Sequence, residues 1–197
     1  MSKTPLGYSY FFRQACYFES FLAVLALVLS WFADLELFAS LRFSEPAIAL
    51  GLIGTIPLIL LFFALQGCQF SGIQRIRTLL DETLCPALCH RHWTDLLTLS
   101  VIAGFSEELL FRGFLQIWLE SKSGHTAGLI VSNLIFGLVH AVTPLYAVLA
   151  FLIGIYLGLA MDYGSERNVL TPMVIHGLYD FIVFVIIMRT YQSRKTL

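Results

Sequence analysis

The sequence predicts an all-α fold, a polytopic transmembrane helical bundle of about six spans plus one interfacial amphipathic helix. Three observations predict it. Hydrophobic residues make up 58% of the chain and charged residues 13%, where an ordinary globular domain carries about 25% charged. Mean hydropathy is +0.80. The apolar residues gather into runs of spanning length separated by short polar links. The 197 residues fit a single integral membrane domain. Residues 1–92 hold the N-terminal spans and the interfacial helix, and residues 93–197 hold the chemistry-bearing core.

The elements follow in order. Residues 1–14 are aromatic and mildly basic, like a signal-peptide n-region. The apolar run from about Ala15 to Phe38 is too long for an h-region, so it reads as an uncleaved first span with Glu19 near its start. Ser44-Glu45-Pro46 is a helix start, because proline suits the first helical position. The second span runs from Pro46 to about Gln66, with Pro57 expected to kink it. In residues 67–92, Ser71 and Gln74 resemble a capping box. Ile73, Ile76, Leu80 and Leu84 recur at helical spacing, with Arg75, Arg77, Asp81 and Glu82 mainly on other faces. That pattern suits a helix lying in the membrane interface; the alternative is a solvated loop. Thr94-Asp95 caps a third span from about Asp95 to Leu119. The run from Thr126 to Met161 is too long for one crossing at ~1.5 Å per residue. It must break near His140–Pro144, giving spans at about 126–141 and 144–161. Thr171-Pro172 opens a sixth span that ends near Met188.

Six spans place both termini on one side. That side carries eight Lys and Arg residues, Lys3, Arg13, Arg75, Arg77, Arg91, Arg189, Arg194 and Lys195. The other carries three, Arg42, Lys122 and Arg167. The positive-inside rule then puts both termini in the cytoplasm, with a bacterial cytoplasmic membrane as the expected location. A net charge of −1 without a basic patch gives no nucleic-acid partner. Cys85, Cys89, His90 and His92 match no common zinc spacing, and Pro86 interrupts them. No internal repeat of the kind that builds transporters is visible.

Ionisable residues inside spans cost roughly 2.5–3.5 kcal/mol each on insertion scales, so they mark pairing or function. Three groups stand out. In Glu107-Glu108-x-x-x-Arg112, residues four apart share a face, so Glu108 pairs with Arg112. Glu107 is turned about 100° away and is free to act as a general base. In Phe136-x-x-x-His140, Phe136 lies one turn from the imidazole and walls it. In His176-x-x-x-Asp180, an Asp is placed to orient a His, and Gly177 permits close approach of another helix. Each group alone could be a structural charge cluster, a polar helix end or a hydrogen bond joining helices. Together, a Glu and two His on three helices are the material for activating water inside a membrane.

These three motifs, in this order, resemble those of the CPBP family, also called the CAAX-protease or Abi family of intramembrane endopeptidases. The resemblance covers about residues 95–189. It implies a polytopic helical fold, hydrolysis of a peptide bond within the membrane, and a membrane-anchored protein or peptide as substrate, with the lipid bilayer as the other partner. By the motif match, Glu107 and His140 would activate water, and His176 and Asp180 would stabilise the oxyanion, supported by Glu108, Arg112 and Phe136. An ionised Asp cannot donate a hydrogen bond, so Asp180 is expected to orient His176 and leave donation to the imidazole. No cofactor is expected; zinc held by Glu107, His140 and His176 is the alternative. His140 and His176 would sit near opposite ends of full crossings. They can meet only if the break at His140–Pro144 is recessed into the membrane beside a water-filled cavity. Two other function classes use the same residues: a membrane binding or immunity module that holds a partner helix, and a proton-coupled transporter.

Overall fold

The computed structural model describes the backbone of residues 5–195 and the side chains of residues 10–194. Among them every regular element is helical: α1 Pro5–Phe32, α2 Glu45–Gly67, α3 Ser71–Leu79, α4 Cys85–Leu88, α5 Trp93–Glu108, α6 Ile117–Ser123, α7 His125–Val139, α8 Pro144–Ala160 and α9 Leu170–Lys195. A π-helical stretch, Leu80–Leu84, joins α3 to α4, and another, Leu109–Gln116, joins α5 to α6. Among the described residues, three helices are long and apolar enough to cross a membrane, over Tyr10–Phe32, Glu45–Gly67 and Leu170–Arg194. The outward sides of the first two stay apolar: Phe18 is 61% exposed, Trp31 76% and Leu60 64%. Such a surface suits lipid rather than water. The apolar helices α7 and α8 have 15 and 17 residues, short of the ~20 that a full crossing needs.

The largest departure from the sequence reading is α1, which ends at Phe32 rather than running to Phe38. Asp34 has φ 51°, a left-handed conformation that ends a helix and that Asp tolerates better than most residues. The helix also begins well before Ala15, at Pro5. Glu19 therefore lies mid-helix, where the sequence reading had it near the start. The loop after α1 is pinned across the bundle. Asn168 Nδ2 donates to the Arg42 carbonyl at 2.7 Å, Val169 N donates to the Ser40 carbonyl at 2.8 Å, and Arg42 pairs with Glu166.

Helix starts follow side-chain chemistry, not always at the residues expected. Ser44 caps α2, its Oγ accepting from Ala47 N. The helix runs on through Pro57, and Tyr156 Oη donates to the carbonyl of Gly54 at 2.7 Å just upstream. The Ser71/Gln74 capping box is absent: Phe70 is the N-cap and has no side-chain cap bond, while Gln74 Nε2 donates to the Gln69 carbonyl. His92, not Thr94, caps α5, its Nδ1 accepting from Thr94 N. Asn168, not Thr171, caps α9, its Oδ1 accepting from Leu170 N at 3.0 Å. An amide or imidazole one to three residues upstream does the same work as the expected hydroxyl.

The stripe Ile73, Ile76, Leu80 and Leu84 on α3 and its π extension does form one face. It lines an internal cavity shared with α2, α8 and α9, so it closes the bundle over that cavity, while Arg75 points outward. The break between α7 and α8 falls where expected, over His140–Thr143, and Thr143 Oγ1 caps α8 by accepting from Tyr146 N at 3.1 Å.

Two small residues set the central packing. A Cβ on Gly104 of α5 would lie 2.7 Å from the backbone N of Gly177 on α9, and a Cβ on Gly177 would lie 3.2 Å from the Ser100 carbonyl. The two backbones touch here, as Gly177 led the sequence reading to expect. That contact brings the next turn of α5, which carries Glu107 and Glu108, against His176.

Candidate functional site

Arg112 organises the site. It lies in the π-helical stretch and is completely buried. Its Nη1 donates to Glu108 Oε1 at 2.8 Å, and its Nη2 donates to Asn133 Oδ1 at 2.9 Å and to the Gly154 carbonyl at 3.0 Å. Its guanidinium lies 4.5 Å from the centre of the Phe136 ring, a cation–π distance. The i,i+4 pair read from the sequence is present and is embedded in bonds from α7 and α8. Gly154 must be small for this, since a Cβ there would lie 2.5 Å from Asn133 Oδ1.

Glu108 has a second partner that helical spacing did not reveal. His176 Nδ1 lies 2.8 Å from the same Oε1 that accepts from Arg112. A carboxylate neutralised by Arg112 accepts from the imidazole, so Nδ1 carries the hydrogen. The other ring nitrogen, Nε2, lies 3.5 Å from Asp180 Oδ2. The expected i,i+4 neighbourhood of His176 and Asp180 is real, but the closer partner of His176 is Glu108.

Glu107 is 7% exposed. Its Oε2 lies 3.5 Å from His140 Nε2 and has no hydrogen-bond partner among the described residues. His140 Nδ1 lies 2.8 Å from the Phe136 carbonyl. A carbonyl only accepts, so Nδ1 carries the hydrogen and Nε2 presents its lone pair to the side facing Glu107. Phe136 thus does more than wall the imidazole: it fixes the tautomer through its carbonyl and packs its ring 4.3 Å from the His140 ring, centre to centre. The Phe136 ring also meets Phe111 edge-on at 5.0 Å and His176 at 6.5 Å. All seven residues singled out in the sequence, Glu107, Glu108, Arg112, Phe136, His140, His176 and Asp180, converge on one place.

That place opens on an apolar cavity of about 230 Å³ between α2, α3, α8 and α9. His140, His176 and Asp180 line one end, with Tyr146 and Tyr179 beside them, and Gln66 and Arg77 lie along the same cavity. Arg77 is tied down, its Nη2 donating to the Leu65 and Cys68 carbonyls at the end of α2. The two tyrosines went unremarked in the sequence, where nothing distinguished them from other aromatic residues of an apolar run.

A fourth carboxyl was also missed. Glu19 of α1 lies close enough to Glu107, His176 and Asp180 to feel their charges, and its Oε2 is buried without a hydrogen-bond partner among the described residues. The signal was present: Glu19 is the one charged residue between Arg13 and Asp34, and such a residue in an apolar helix marks a function or a partner.

Among the described residues no three His, Cys, Asp or Glu side chains group as metal ligands. For the zinc alternative at Glu107, His140 and His176, both imidazoles hydrogen-bond through Nδ1, as zinc-binding histidines also do, but His176 Nε2 faces Asp180. The four cysteines are free thiols.

No curated protein and no solved structure matches the chain. Residues 89–182, which hold all three motifs, match the model of the family described as type II CAAX prenyl endopeptidase Rce1-like.

Proposed function

We propose that the protein is an intramembrane endopeptidase that cleaves a peptide bond of a membrane-anchored protein or peptide by direct attack of water. One observation carries the reading: a buried carboxylate oxygen of Glu107 with no partner among the described residues faces the lone-pair nitrogen of His140, next to His176. A water between Glu107 and His140 Nε2 meets two acceptors and no donor, which is the environment that draws off its proton. Glu107 takes that proton as the water oxygen attacks the carbonyl carbon, and His140 holds the water in line. Glu107 then returns the proton to the leaving amine.

The negative oxygen that develops needs a donor. His176 supplies it through Nε2–H as an imidazolium, anchored at Nδ1 by Glu108 and flanked by Asp180. The anchoring role that sequence spacing gave to Asp180 thereby passes to Glu108, and Asp180 balances the imidazolium charge at the cavity end. Arg112 keeps Glu108 ionised and in place. No step requires a metal. The apolar cavity beside these residues suits a substrate segment that arrives from lipid.

On this reading the chain crosses the bilayer about six times, counting the α5–α6 rod, α7 and α8 with the three long helices. The short α7 spans only ~22 Å at 1.5 Å per residue, so its His140 end stops inside the ~30 Å core. That is the recessed break the histidines require. Both termini then lie in the cytoplasm, in a bacterial cytoplasmic membrane.

The test is cleavage by purified protein, in lipid nanodiscs, of a panel of lipid-anchored and transmembrane peptides, with new termini identified by mass. The reading expects a defined cut in at least one membrane-anchored peptide, unaffected by a chelator. A panel left intact by a folded protein, or activity abolished by the chelator and restored by zinc, would overturn the proposed mechanism.

A further inference from the structure

We infer that Phe62, Leu80 and Ile187 form a gate, latched by Arg77, through which the substrate chain reaches the site and which selects it by size; this rests on the reading of the cavity as the place where the peptide is cut. A second cleft of about 290 Å³ lies beside the cavity that holds His140, His176 and Asp180. The walls of the two share Phe62, Gln66, Arg77, Leu80 and Ile187, so one layer of side chains separates them. Thr190 and Arg194, near the end of α9, line the second cleft and not the first. The second cleft therefore faces the side of the termini. Its Arg194 side chain is 61% exposed, so water reaches it.

The partition is made of parts that can separate. Phe62 comes from α2, Leu80 from the π-helical stretch Leu80–Leu84 and Ile187 from α9, and apolar side chains hold one another by packing alone. Helix α3, which carries Leu80 at its end, packs mainly against α8 apart from its own π extension. Among its described residues only Ile73 is buried. The link from α2 is extended at Cys68 and Phe70, and a Cβ on Gly67 would meet nothing within 4 Å. An element with so few buried contacts opens at low cost, and lids are drawn from such elements. Two side-chain ties among the described residues hold it to α2 and α9. Arg77 Nη2 donates to the carbonyls of Leu65 and Cys68, the latter at 2.9 Å, where the negative end of the α2 dipole favours a cation. Asp81 pairs with Arg194 at 2.9 Å, but that pair is largely exposed and so contributes little. Arg77 is therefore the main latch.

The two sides of the gate differ in kind. Inside, the wall is aliphatic and aromatic up to the catalytic end, while Asp81, Thr190 and Arg194 make the outer cleft polar. A chain threaded through it lays apolar residues beside His140 and His176 and leaves polar residues in the cleft. Phe62, Arg77 and Leu80 lie outside residues 89–182, the segment that matches the family. The N-terminal half thereby supplies the selection, and the matched segment supplies the chemistry.

The experiment replaces Ile153, an α8 residue that lines the inner cavity but not the cleft, by cysteine in a background free of native cysteines, in nanodiscs. Labelling of that cysteine by a membrane-impermeant methanethiosulfonate reagent needs no substrate. Leu80→Ala and Arg77→Ala should speed labelling and Leu80→Trp should slow it, each by about tenfold or more, the spread of association rates when one interface is altered. Leu37→Ala, a buried change that lines neither cavity, should leave it unchanged. On whichever peptide wild type cuts, Leu80→Trp should lower kcat/KM by a similar factor with kcat spared, and Leu80→Ala should favour peptides with bulkier residues at the cut. Each variant is checked for folding by its unfolding temperature; if Leu80→Trp does not fold, Ile187→Trp makes the same test from α9. Labelling that ignores Leu80→Ala and the Trp variant, or that rises equally with Leu37→Ala, overturns the gate. An unchanged kcat/KM in a Trp variant that slows labelling overturns its part in substrate entry. If labelling responds as expected while wild type cuts no peptide, the proteolytic reading has failed and the gate stands.

Discussion

Replacing Arg112 by Ala tests whether the site is held together from its buried centre. Arg112 and Glu108 are each 0% exposed and bonded at 2.8 Å. Removing the guanidinium leaves the Glu108 charge in an apolar interior with only His176 to answer it. Breaking a buried pair from one side costs about 3–5 kcal/mol. The carbonyl of Gly154 and Oδ1 of Asn133 lose their donor at the same time. For a chain of this size, 1 kcal/mol corresponds to roughly 2–4 °C in Tm, so the loss is about 6–20 °C. Arg112→Lys should recover only part of it, because one ammonium on a shorter stem cannot serve three acceptors spread over three helices. The assay is thermal unfolding of purified variants in a single detergent, with Glu107→Gln as comparison. Glu107 has no bonded partner to lose, so that variant should unfold within about 0.5 kcal/mol of wild type, the range for changes that break no named contact. If Arg112→Ala unfolds within 2 °C of wild type, measured against this ~6 °C minimum, the view of Arg112 as the organising group fails.

Three further outcomes are expected. Gly104→Ala should destabilise by about 1–3 kcal/mol and reduce cleavage, because its Cβ would press on the Gly177 backbone at 2.7 Å; Gly113→Ala, whose nearest neighbour is a Leu109 methyl at 3.4 Å, should be tolerated, and equal effects from the two would refute the close-contact argument. On the side away from the termini, burial works against ionised Glu120 but is outweighed by hydrogen bonds from Arg167 and Gln116, which hold its carboxyl below the usual range. A depressed folded value means that its stabilisation is full above the unfolded carboxylate range and is lost as pH falls through the folded value. Wild type should therefore lose Tm below about pH 4 more steeply than Glu120→Gln, and parallel pH curves would contradict this. Finally, cysteines placed at Ala141 or Val142, in a background free of native cysteines, should react more slowly with a membrane-impermeant reagent than a cysteine in the terminal tail. Equal labelling would place the break at the surface and remove the recessed cavity.

Much of the site was legible because helical spacing is local. Glu108 with Arg112, Phe136 with His140, and His176 with Asp180 are each four residues apart, and each pair is adjacent in space. The two shorter apolar helices and the break between them followed from counting residues against bilayer thickness. What could not be read was contact between helices. Nothing in the spacing joins Glu108 to His176 across 68 residues, so the imidazole's anchor was assigned to its near neighbour Asp180. Glu19 was passed over because the start of α1 was set at the first long apolar run, which put a mid-helix carboxyl at a helix end where it needs no explanation. The π-helical stretch at Leu109–Gln116, buried along most of its length, also leaves no sequence signature. The helix starts at His92 and Asn168 show the same limit: several polar residues near a helix start can cap it, and tertiary position chooses among them.

The central claim is that Glu107 is the base. The most direct measurement is the cleavage rate of Glu107→Gln beside wild type, on whichever membrane-anchored peptide wild type cuts, with both proteins verified as folded by their unfolding temperatures. Gln is the same size and cannot accept a proton from water. The account predicts cleavage reduced by at least about 10²-fold, the lower end of what a general base contributes, with Tm unchanged. A folded Glu107→Gln that cuts at the wild-type rate would contradict it.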